Sequence, residues 1–305
     1  MPELPDITLY VEGFGRTIFN EPIVGIDLRS PFLLRSVDPG IFEVKKKAVT
    51  GFRRIGKRVV WELEDDLFMV FHLMVAGRFH WKPPGTRSGG RNHLASFHFP
   101  HGTVTLTETS TKKRASLHIV KGEDQLQEHD PGGLEALESD FQTFRNRLLS
   151  ENHTLKRALT DPTLFSGIGN AFSDEILFEA GLSPIIWTNR LEEEEIERLF
   201  EFTQSVLTDW IERLRSETGE KFPEKVTAFR KQMFVHGRFR KPCKSCETEI
   251  QRVVYSSNET NYCPRCQTSG KVLADRSMSR LLKKDWPRSI EELELRKRSG
   301  TEKAS

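Results

Sequence analysis

Residues 243–266 read CKSCETEIQRVVYSSNETNYCPRC and contain all four cysteines of the 305-residue chain. Two Cys-x-x-Cys pairs, Cys243 with Cys246 and Cys263 with Cys266, are separated by sixteen residues. Each pair can direct two sulfurs at one metal ion, and the intervening length suits a β-hairpin that completes a tetrahedral site. We therefore predict one structural Zn2+ ion bound by four thiolates, which leaves no open position for catalysis. A redox-active pair is the alternative, and the presence of two spaced pairs argues against it.

The remainder of the chain divides into a β-rich part followed by a helical part. Alternating apolar and polar residues at 57–63 and 95–99 predict strands, and Pro-Gly turns separate such runs. A helix is predicted around 7–18, and the sequence EHDPGG at 128–133 indicates a linker. Beyond the linker, apolar residues recur at helical spacing. The predicted helices are 140–149, 153–159, 173–180 and 191–214.

These patterns predict four parts along the chain. They are a β-rich domain over residues 1–130, a helical domain over 131–235, a zinc hairpin over 236–270 and a C-terminal extension over 271–305. Residues 289–305 are charged and poor in large apolar groups, so a mobile tail is predicted there. Four histidines of the β-rich part lack a metal-binding spacing and are predicted to be sheet or surface residues: His93, His98, His101 and His118.

Positive charge is concentrated near the cysteines, although the net charge of the chain is only +2. Residues 230–288 contain fourteen Lys or Arg against five Asp or Glu. This excess favours a polyanionic partner such as DNA, while a solvated basic face is the simpler interpretation of charge alone. The apolar runs are shorter than the roughly 18 residues of a membrane span, and the start MPELPD lacks the features of a signal peptide. We expect a monomer without a membrane partner, in a bacterial cytoplasm or nucleoid or in a nucleus.

Three segments, in this order, resemble the formamidopyrimidine-DNA glycosylase and endonuclease VIII family. They are MPELPD at 1–6, GIGNAFSDEIL at 167–177 and YCPRCQ at 262–267. The sequences HL at 72–73 with GRF at 77–79, and VHGR at 235–238, extend the match over roughly residues 1–270. The resemblance implies an α+β fold with an N-terminal β-sandwich, a helix–two-turn–helix domain and a four-cysteine zinc finger. It also implies damaged DNA as the partner, bound between the two domains.

The family's chemistry implies that Pro2, Glu3 and Lys57 are catalytic. Removal of Met1 would leave the secondary amine of Pro2 as the terminus, and an α-amino group titrates near pH 8, so part of it is unprotonated at neutral pH. Attack on the sugar C1′ would expel the damaged base, and the resulting imine would permit β- and δ-elimination of the two phosphates. Glu3 is expected to be the general acid/base. Lys57, which precedes a predicted strand, is expected to contact the phosphates at the lesion.

Other positions are implied to hold DNA, and some of them depart from the family pattern. Gly169 and Asn170 match the turn that binds a phosphate at a helix N-terminus. Asn258 occupies the finger position that is usually arginine. The position of the intercalating methionine falls on Val75, beside Met74. Arg114 matches the wedge loop, but the wedge phenylalanine is replaced by Ala115, and Thr8 replaces a glutamate that is frequent in members acting on oxidised purines.

These departures leave several readings open. Three of them keep the family's chemistry: specialisation for single-stranded, gapped or already distorted DNA, for a bulkier or unusual lesion, or for the lyase step with most glycosylase activity lost. A non-catalytic binder of damaged DNA on the same scaffold is a further alternative. A third class of function, besides the enzyme and the non-catalytic DNA binder, is a zinc-ribbon module that binds protein instead of DNA. Salt-dependent DNA binding would exclude it.

Overall fold

The computed structural model describes residues 1–86, 89–224, 226–227, 230–255, 258–274 and 286–301. The chain divides into two units, one formed by Met1–Gly133 with Leu207–Ala228 and the other by Leu134–Val206 with Phe229–Ser305. A late segment of the sequence therefore belongs to the first unit. The four sequence-based domain boundaries remain predictions.

The first unit contains two four-stranded antiparallel sheets and two helices, α1 and α2. Its strand order is β1-β6-β7-β5 in one sheet and β2-β3-β4-β8 in the other. The elements are α1 Leu4–Thr17, β1 Gly25–Leu28, β2 Val49–Ile55, β3 Arg58–Leu63, β4 Leu67–His72, β5 Gly77–Lys82, β6 His93–Phe99, β7 Gly102–Glu108, β8 Ser116–Lys121 and α2 Glu123–Gln127, with 3-10 turns at Pro31–Leu33 and Glu64–Asp66. The predicted strands at 57–63 and 95–99 coincide with β3 and β6.

Aromatic side chains from both sheets and from α1 share one core. The Trp61 ring lies 5.0 Å from Phe14 of α1, 4.9 Å from Phe71 and 5.4 Å from Phe97, measured between centroids. Because alternate residues of a strand point to opposite faces, Trp61 and its second neighbours in β3 enter the core while Arg58 points the other way. The two sheets thus form the β-sandwich that the family resemblance implies.

The segment after residue 218 completes this core. A Cβ atom on Gly13 would lie 2.7 Å from the Pro223 side chain, so only glycine permits this approach of the segment to α1. Phe222 packs against Tyr10 and Phe14, with ring centroids 5.9 and 5.1 Å apart. Burial of this aromatic surface explains why Leu207–Ala228 groups with the first unit.

The second unit is mainly helical and carries a two-stranded hairpin. Its elements are α3 Phe141–Leu149, α4 Leu155–Thr160, a 3-10 turn at Thr188–Arg190, α5 Asn170–Glu179, β9 Gln251–Tyr255, β10 Asn258–Tyr262, α7 Pro264–Thr268 and α8 Ile290–Thr301. Helix α6, Glu193–Thr218, begins in this unit and continues beyond its limit at Val206. No helix in the described ranges is both long and apolar enough to cross a membrane.

The structure differs from the sequence prediction at the start of α5 and in the predicted C-terminal tail. Helix α5 begins at Asn170, three residues before the predicted start, because Gly169 provides its N-cap. The prediction of a mobile tail from residue 289 is corrected by helix α8. Its first residue, Ile290, is buried and its N–H donates to the Gly270 carbonyl oxygen at 3.0 Å, a long-range contact that composition does not reveal.

We expect Phe14→Ala to destabilise the first unit by about 3–5 kcal/mol, the usual cost of removing a buried phenylalanine ring. Phe14 is 0% exposed, whereas Phe42 is 84% exposed, so Phe42→Ala is the matched control and should change stability by less than about 0.5 kcal/mol. Urea unfolding followed by tryptophan fluorescence measures both. Equal midpoints for the two variants would contradict this core assignment.

Candidate functional site

The first three residues are packed against the start of α1. Pro2 is buried and Glu3 is only 2% exposed. The backbone N–H of Glu3 donates to Asp6 Oδ2 at 3.1 Å, and the Glu3 side chain accepts from the Asp6 backbone N–H, which forms a capping box. The terminus is therefore held by the first turn of a helix whose apolar residues, such as Tyr10 and Phe14, lie in the core.

Two acidic and two basic side chains act electrostatically on the terminal amine of Met1. The pKa of the Met1 amine is lowered, first by burial and then by the Arg78 and Lys57 cations, while the Glu3 and Asp6 carboxylates oppose the shift. The three residues assigned to catalysis from the sequence are therefore related to this amine: Pro2 directly follows Met1, and Glu3 and Lys57 act on the amine electrostatically. Arg78 was not assigned from the sequence, since an arginine after a glycine carries no signal of its own.

Lys57 lies at the tip of the β2–β3 hairpin. Gly56 adopts a left-handed conformation with φ of +56°, which allows a two-residue turn between Ile55 and Arg58. The Arg54 guanidinium donates to the Gly56 carbonyl oxygen at 3.0 Å and braces the turn. Lys57 itself is half-buried.

The turn between β4 and β5 presents Val75 to solvent. His72 Nδ1 accepts the backbone N–H of Met74 at 3.0 Å, and the Gly77 N–H donates to the Leu73 carbonyl oxygen at 2.8 Å. Met74 adopts a φ of +52°, and Val75 is 63% exposed. His72 therefore acts as a structural hydrogen-bond acceptor, while the turn displays the residue that the family pattern aligns with an intercalating side chain.

The loop after β7 does not expose a wedge residue. Glu108, only 1% exposed, accepts the backbone N–H groups of Arg114 at 2.9 Å and Ala115 at 3.1 Å. Ala115 is consequently 3% exposed, while the Arg114 side chain is exposed. Sequence reasoning missed Glu108, because a single acid at the end of a strand does not identify the loop that it will anchor.

In the second unit, the N-terminus of α5 forms the glycine turn. Gly167 has a φ of +76°, Gly169 caps the helix, and Asn170 is half-buried at its first position. Among the described residues, the Asn170 side-chain amide makes no hydrogen bond, so its N–H groups are available to an acceptor. Backbone N–H groups at such an N-terminus are also oriented toward an anion.

Two consecutive carboxylates of α5 hold the chain that leads into the hairpin. Glu175 accepts three backbone N–H groups, those of residues 234, 235 and 236, at 2.7–2.9 Å. Burial raises the pKa of Glu175, against the effect of these hydrogen bonds. Asp174 accepts from Lys156 Nζ at 2.5 Å, lies 2.8 Å from His236 Nδ1 and accepts the Asn261 N–H at 3.1 Å. Both acids lie within the quoted motif, but apart from Lys156 the partners that define their roles are more than 50 residues away.

The four cysteine sulfurs converge on one point, as their spacing predicts. All four Sγ atoms lie within 4.8 Å of one another. The Cys246 sulfur is 3.4 Å from that of Cys263, and the Cys243 sulfur is 4.0 Å from that of Cys266. A tetrahedron with Zn–S bonds of about 2.3 Å has edges of roughly 3.8 Å, so the sulfur positions fit one zinc ion. Phe178, Val235 and Ile250 pack around the sulfurs.

The hairpin that follows is regular, with Tyr262 of β10 opposite Gln251 of β9. Asn258 begins β10 opposite Tyr255, and its side chain lies outside the described part of the chain. The replacement of the finger arginine by Asn258 therefore rests on the sequence alone.

Three protein families match successive parts of the chain. The formamidopyrimidine-DNA glycosylase N-terminal domain matches residues 1–117, and the formamidopyrimidine-DNA glycosylase H2TH domain matches residues 133–221. The zinc finger found in FPG and IleRS matches residues 240–268. Together they account for both units and for the cysteine hairpin.

Curated relatives match over nearly their whole length. The formamidopyrimidine-DNA glycosylase of Desulfitobacterium hafniense is 29% identical over 279 residues, which cover 88% of this chain and 100% of the relative. That of Mycoplasma genitalium is 25% identical over 274 residues, covering 88% and 96%. A solved complex of Lactococcus lactis Fpg with DNA containing an abasic site superposes with a TM-score of 0.77 at 23% identity, covering 87% of this chain and 99% of that one. The solved structure shows that the fold is shared.

We expect one zinc ion per chain on metal analysis of the purified protein. Cys263→Ser should remove most of the metal, because a hydroxyl is a poor ligand where the site requires a thiolate. Ser245→Ala, between two ligands but exposed, is the control and should retain a full equivalent. Retention of zinc by Cys263→Ser would show that the four sulfurs do not act as one site.

Proposed function

The chain belongs to the formamidopyrimidine-DNA glycosylase and endonuclease VIII family, and we propose that, as a base-excision repair glycosylase and abasic-site lyase, it works through an imine formed by Pro2. The observation that carries this proposal is the environment of the terminal amine. In the structure this amine is that of Met1, and burial lowers its pKa while the Glu3 carboxylate and the Lys57 cation act on it electrostatically. Removal of Met1 would leave the Pro2 nitrogen as the terminal amine beside the same groups, which is the arrangement that an activated nucleophile with a proton carrier requires.

The proposed reaction begins when the unprotonated Pro2 nitrogen forms a bond to the sugar C1′. The bond from C1′ to the damaged base breaks, and the base leaves with the electron pair and takes up a proton. Ring opening converts the adduct to an iminium ion. Loss of the C2′ proton then expels the 3′ phosphate by β-elimination, and a second elimination releases the 5′ phosphate. Hydrolysis of the imine regenerates the amine.

Glu3 is proposed to transfer the protons of this sequence, because its carboxylate is buried beside the terminus and acts on the amine electrostatically. Lys57, at the tip of its hairpin, is proposed to bind a phosphate next to the reacting sugar. In the second unit, Gly169 and Asn170 stand at the N-terminus of α5, where the helix dipole favours an anion, and they are proposed to bind another phosphate. These contacts position the strand without reading its sequence. Arg114 and Asn258 are proposed to contribute further DNA contacts.

A second candidate function, in which preformed abasic sites or distorted DNA are preferred over intact lesion duplexes, is supported by the burial of Ala115. A flipped nucleotide leaves a void that must be filled to offset unstacking, which costs a few kcal/mol. The loop anchored by Glu108 presents no large apolar side chain for this purpose, since Ala115 is buried and Arg114 is charged. Val75, with Met74 beside it, remains as the exposed filler in the first unit.

Borohydride should trap the processed chain covalently on DNA that contains an abasic site. An extension in front of Pro2 converts its nitrogen to an amide, which is not a nucleophile, so trapping should be lost. The same extension placed at the C-terminus is the control and should trap normally. Peptide mass spectrometry locates the adduct, and an adduct on a lysine instead of Pro2 would refute the assignment.

Trapping rates should rise with pH and level off below pH 8. The protonated amine cannot attack. Burial and nearby cations lower the pKa of the Met1 amine from the usual value of about 8, and we expect the same surroundings to lower the pKa of the Pro2 amine once Met1 is removed. Glu3→Gln should move the midpoint to still lower pH, because the carboxylate opposes this lowering. Single-turnover trapping across a pH series measures both midpoints. A wild-type midpoint above that of a free α-amino group would contradict the proposed activation.

Val75→Ala should reduce base release from lesion duplexes while leaving cleavage at preformed abasic sites unchanged, because only the first reaction requires a flipped base to be replaced. Val37→Ala is the control, since Val37 is also an exposed valine of the first unit. Base release and strand scission are scored separately on single- and double-stranded oligonucleotides. Equal loss of both activities in Val75→Ala would argue against a filling role.

A further inference from the structure

A group of basic side chains lies on the outer face of the β2-β3-β4-β8 sheet, away from the core. Arg58 is opposite His72 in the β3–β4 register, and His118 is opposite Val70 in the β4–β8 register. Residues directly opposite each other share a face and β4 alternates with period two, so Arg58, His72 and His118 emerge on the same side. His129, which follows α2, contacts His118 with ring centroids 4.7 Å apart. We call Arg58, His118 and His129 the Arg58 cluster.

The polar side-chain groups of the Arg58 cluster are half-buried and have no protein partner among the described residues. Over the described ranges, neither the Arg58 guanidinium nor the imidazoles of His118 and His129 make a hydrogen bond or an ion pair. Arg58 is half-buried, although its guanidinium carries five N–H donors. Half-buried donors without partners are costly unless water or a ligand supplies acceptors.

The electrostatic environment of the cluster favours an anion. Burial is the main cause that lowers the pKa of Arg58, and Asp130 is the acid that acts against it. Burial, followed by His129, Arg58 and Arg35, lowers the pKa of His118 to about 4. Both effects show that an additional positive charge is disfavoured here. An oxyanion would reverse this balance and accept the unsatisfied N–H donors.

We propose that the Arg58 cluster binds a backbone phosphate of the DNA strand, next to the phosphate assigned to Lys57. The inference rests on the proposed function, because that function brings a DNA strand to the β2–β3 hairpin. Arg58 directly follows Lys57 and begins β3. Phosphates recur at about 3.4 Å of helix axis along each strand, so a strand that meets Lys57 carries further phosphates past this face. The planar guanidinium suits bidentate contact with phosphate oxygens, and the two imidazoles can add N–H donors.

The dependence of DNA affinity on salt tests this proposal directly. For Arg58→Gln, we expect weaker binding to abasic-analogue duplex and a slope of log K against log salt that is smaller by about one, the value of one lost phosphate contact. Arg53→Gln is the matched control on the same sheet, because Arg53 is already paired with Glu62 and Glu123. Its slope should equal that of the wild type. An unchanged slope and affinity in Arg58→Gln would overturn the proposal.

Two further variants keep the test decisive if Arg58→Gln folds poorly. Arg58→Lys retains the positive charge but not the planar guanidinium that makes bidentate contacts. It should therefore preserve the slope of log K against log salt and still lower the DNA affinity. His118→Gln should lower the affinity roughly two- to tenfold, the size of one hydrogen bond, with the slope unchanged. Wild-type affinity in both variants would refute the site. Borohydride trapping at saturating enzyme should persist in every variant, so failure of this proposal is distinguishable from failure of the imine chemistry.

Nuclear magnetic resonance distinguishes binding of a DNA phosphate to the Arg58 cluster from binding of a free anion. The ring-proton shifts of His118 and His129 are followed during titration with duplex DNA and, separately, with inorganic phosphate. We expect DNA to perturb both histidines in the wild type and neither in Arg58→Gln. Perturbation by inorganic phosphate with none by DNA would mean that the cluster binds a small anion and not the strand, and would overturn the proposal.

Discussion

Burial of the chain's first residues is the constraint on which the rest of the first unit depends. A terminal amine is normally solvated and protonated near neutral pH, and lowering its pKa requires that it be enclosed. Helix α1 achieves this by placing its first turn around Glu3 while Tyr10 and Phe14, further along, are fixed among aromatic rings of both sheets. The position of the proposed nucleophile is therefore determined by the hydrophobic core, and the proposed polar site lies at an edge of that core.

In the second unit, the corresponding constraint is that buried carboxylates must accept hydrogen bonds. A buried carboxylate without partners is destabilising by several kcal/mol. Asp174 and Glu175 avoid that cost by accepting N–H groups from segments far away in sequence, including Asn261 of the hairpin. The same helix presents Asn170 at its N-terminus. The zinc hairpin and the turn proposed to bind a phosphate are thus held to one helix within this unit.

Sequence patterns predicted the features that depend on local spacing. The Cys243-to-Cys266 pattern predicted the converging sulfurs, and alternation in 57–63 predicted a strand, because both are short-range properties. The roles of Glu108 and Glu175 could not be predicted, since their partners come from a loop and from a segment about 60 residues away. The helix at 290–301 was not predicted, because the residue that anchors it, Gly270, lies outside the charged segment 289–305. The catalytic assignment of Pro2 came from family resemblance, since a proline at a terminus has no chemical signature by itself.

The close approach of Gly13 and Pro223 has a consequence for biosynthesis. The first unit needs residues from near position 222, which leave the ribosome long after residue 133. At translation rates of about 5–20 residues per second, the interval is roughly 5–20 s. Throughout that time the nascent sandwich leaves part of the Tyr10 and Phe14 surface uncovered. We expect chaperones to bind that apolar surface during synthesis. Chains that end before this segment cannot cover it and are expected not to mature.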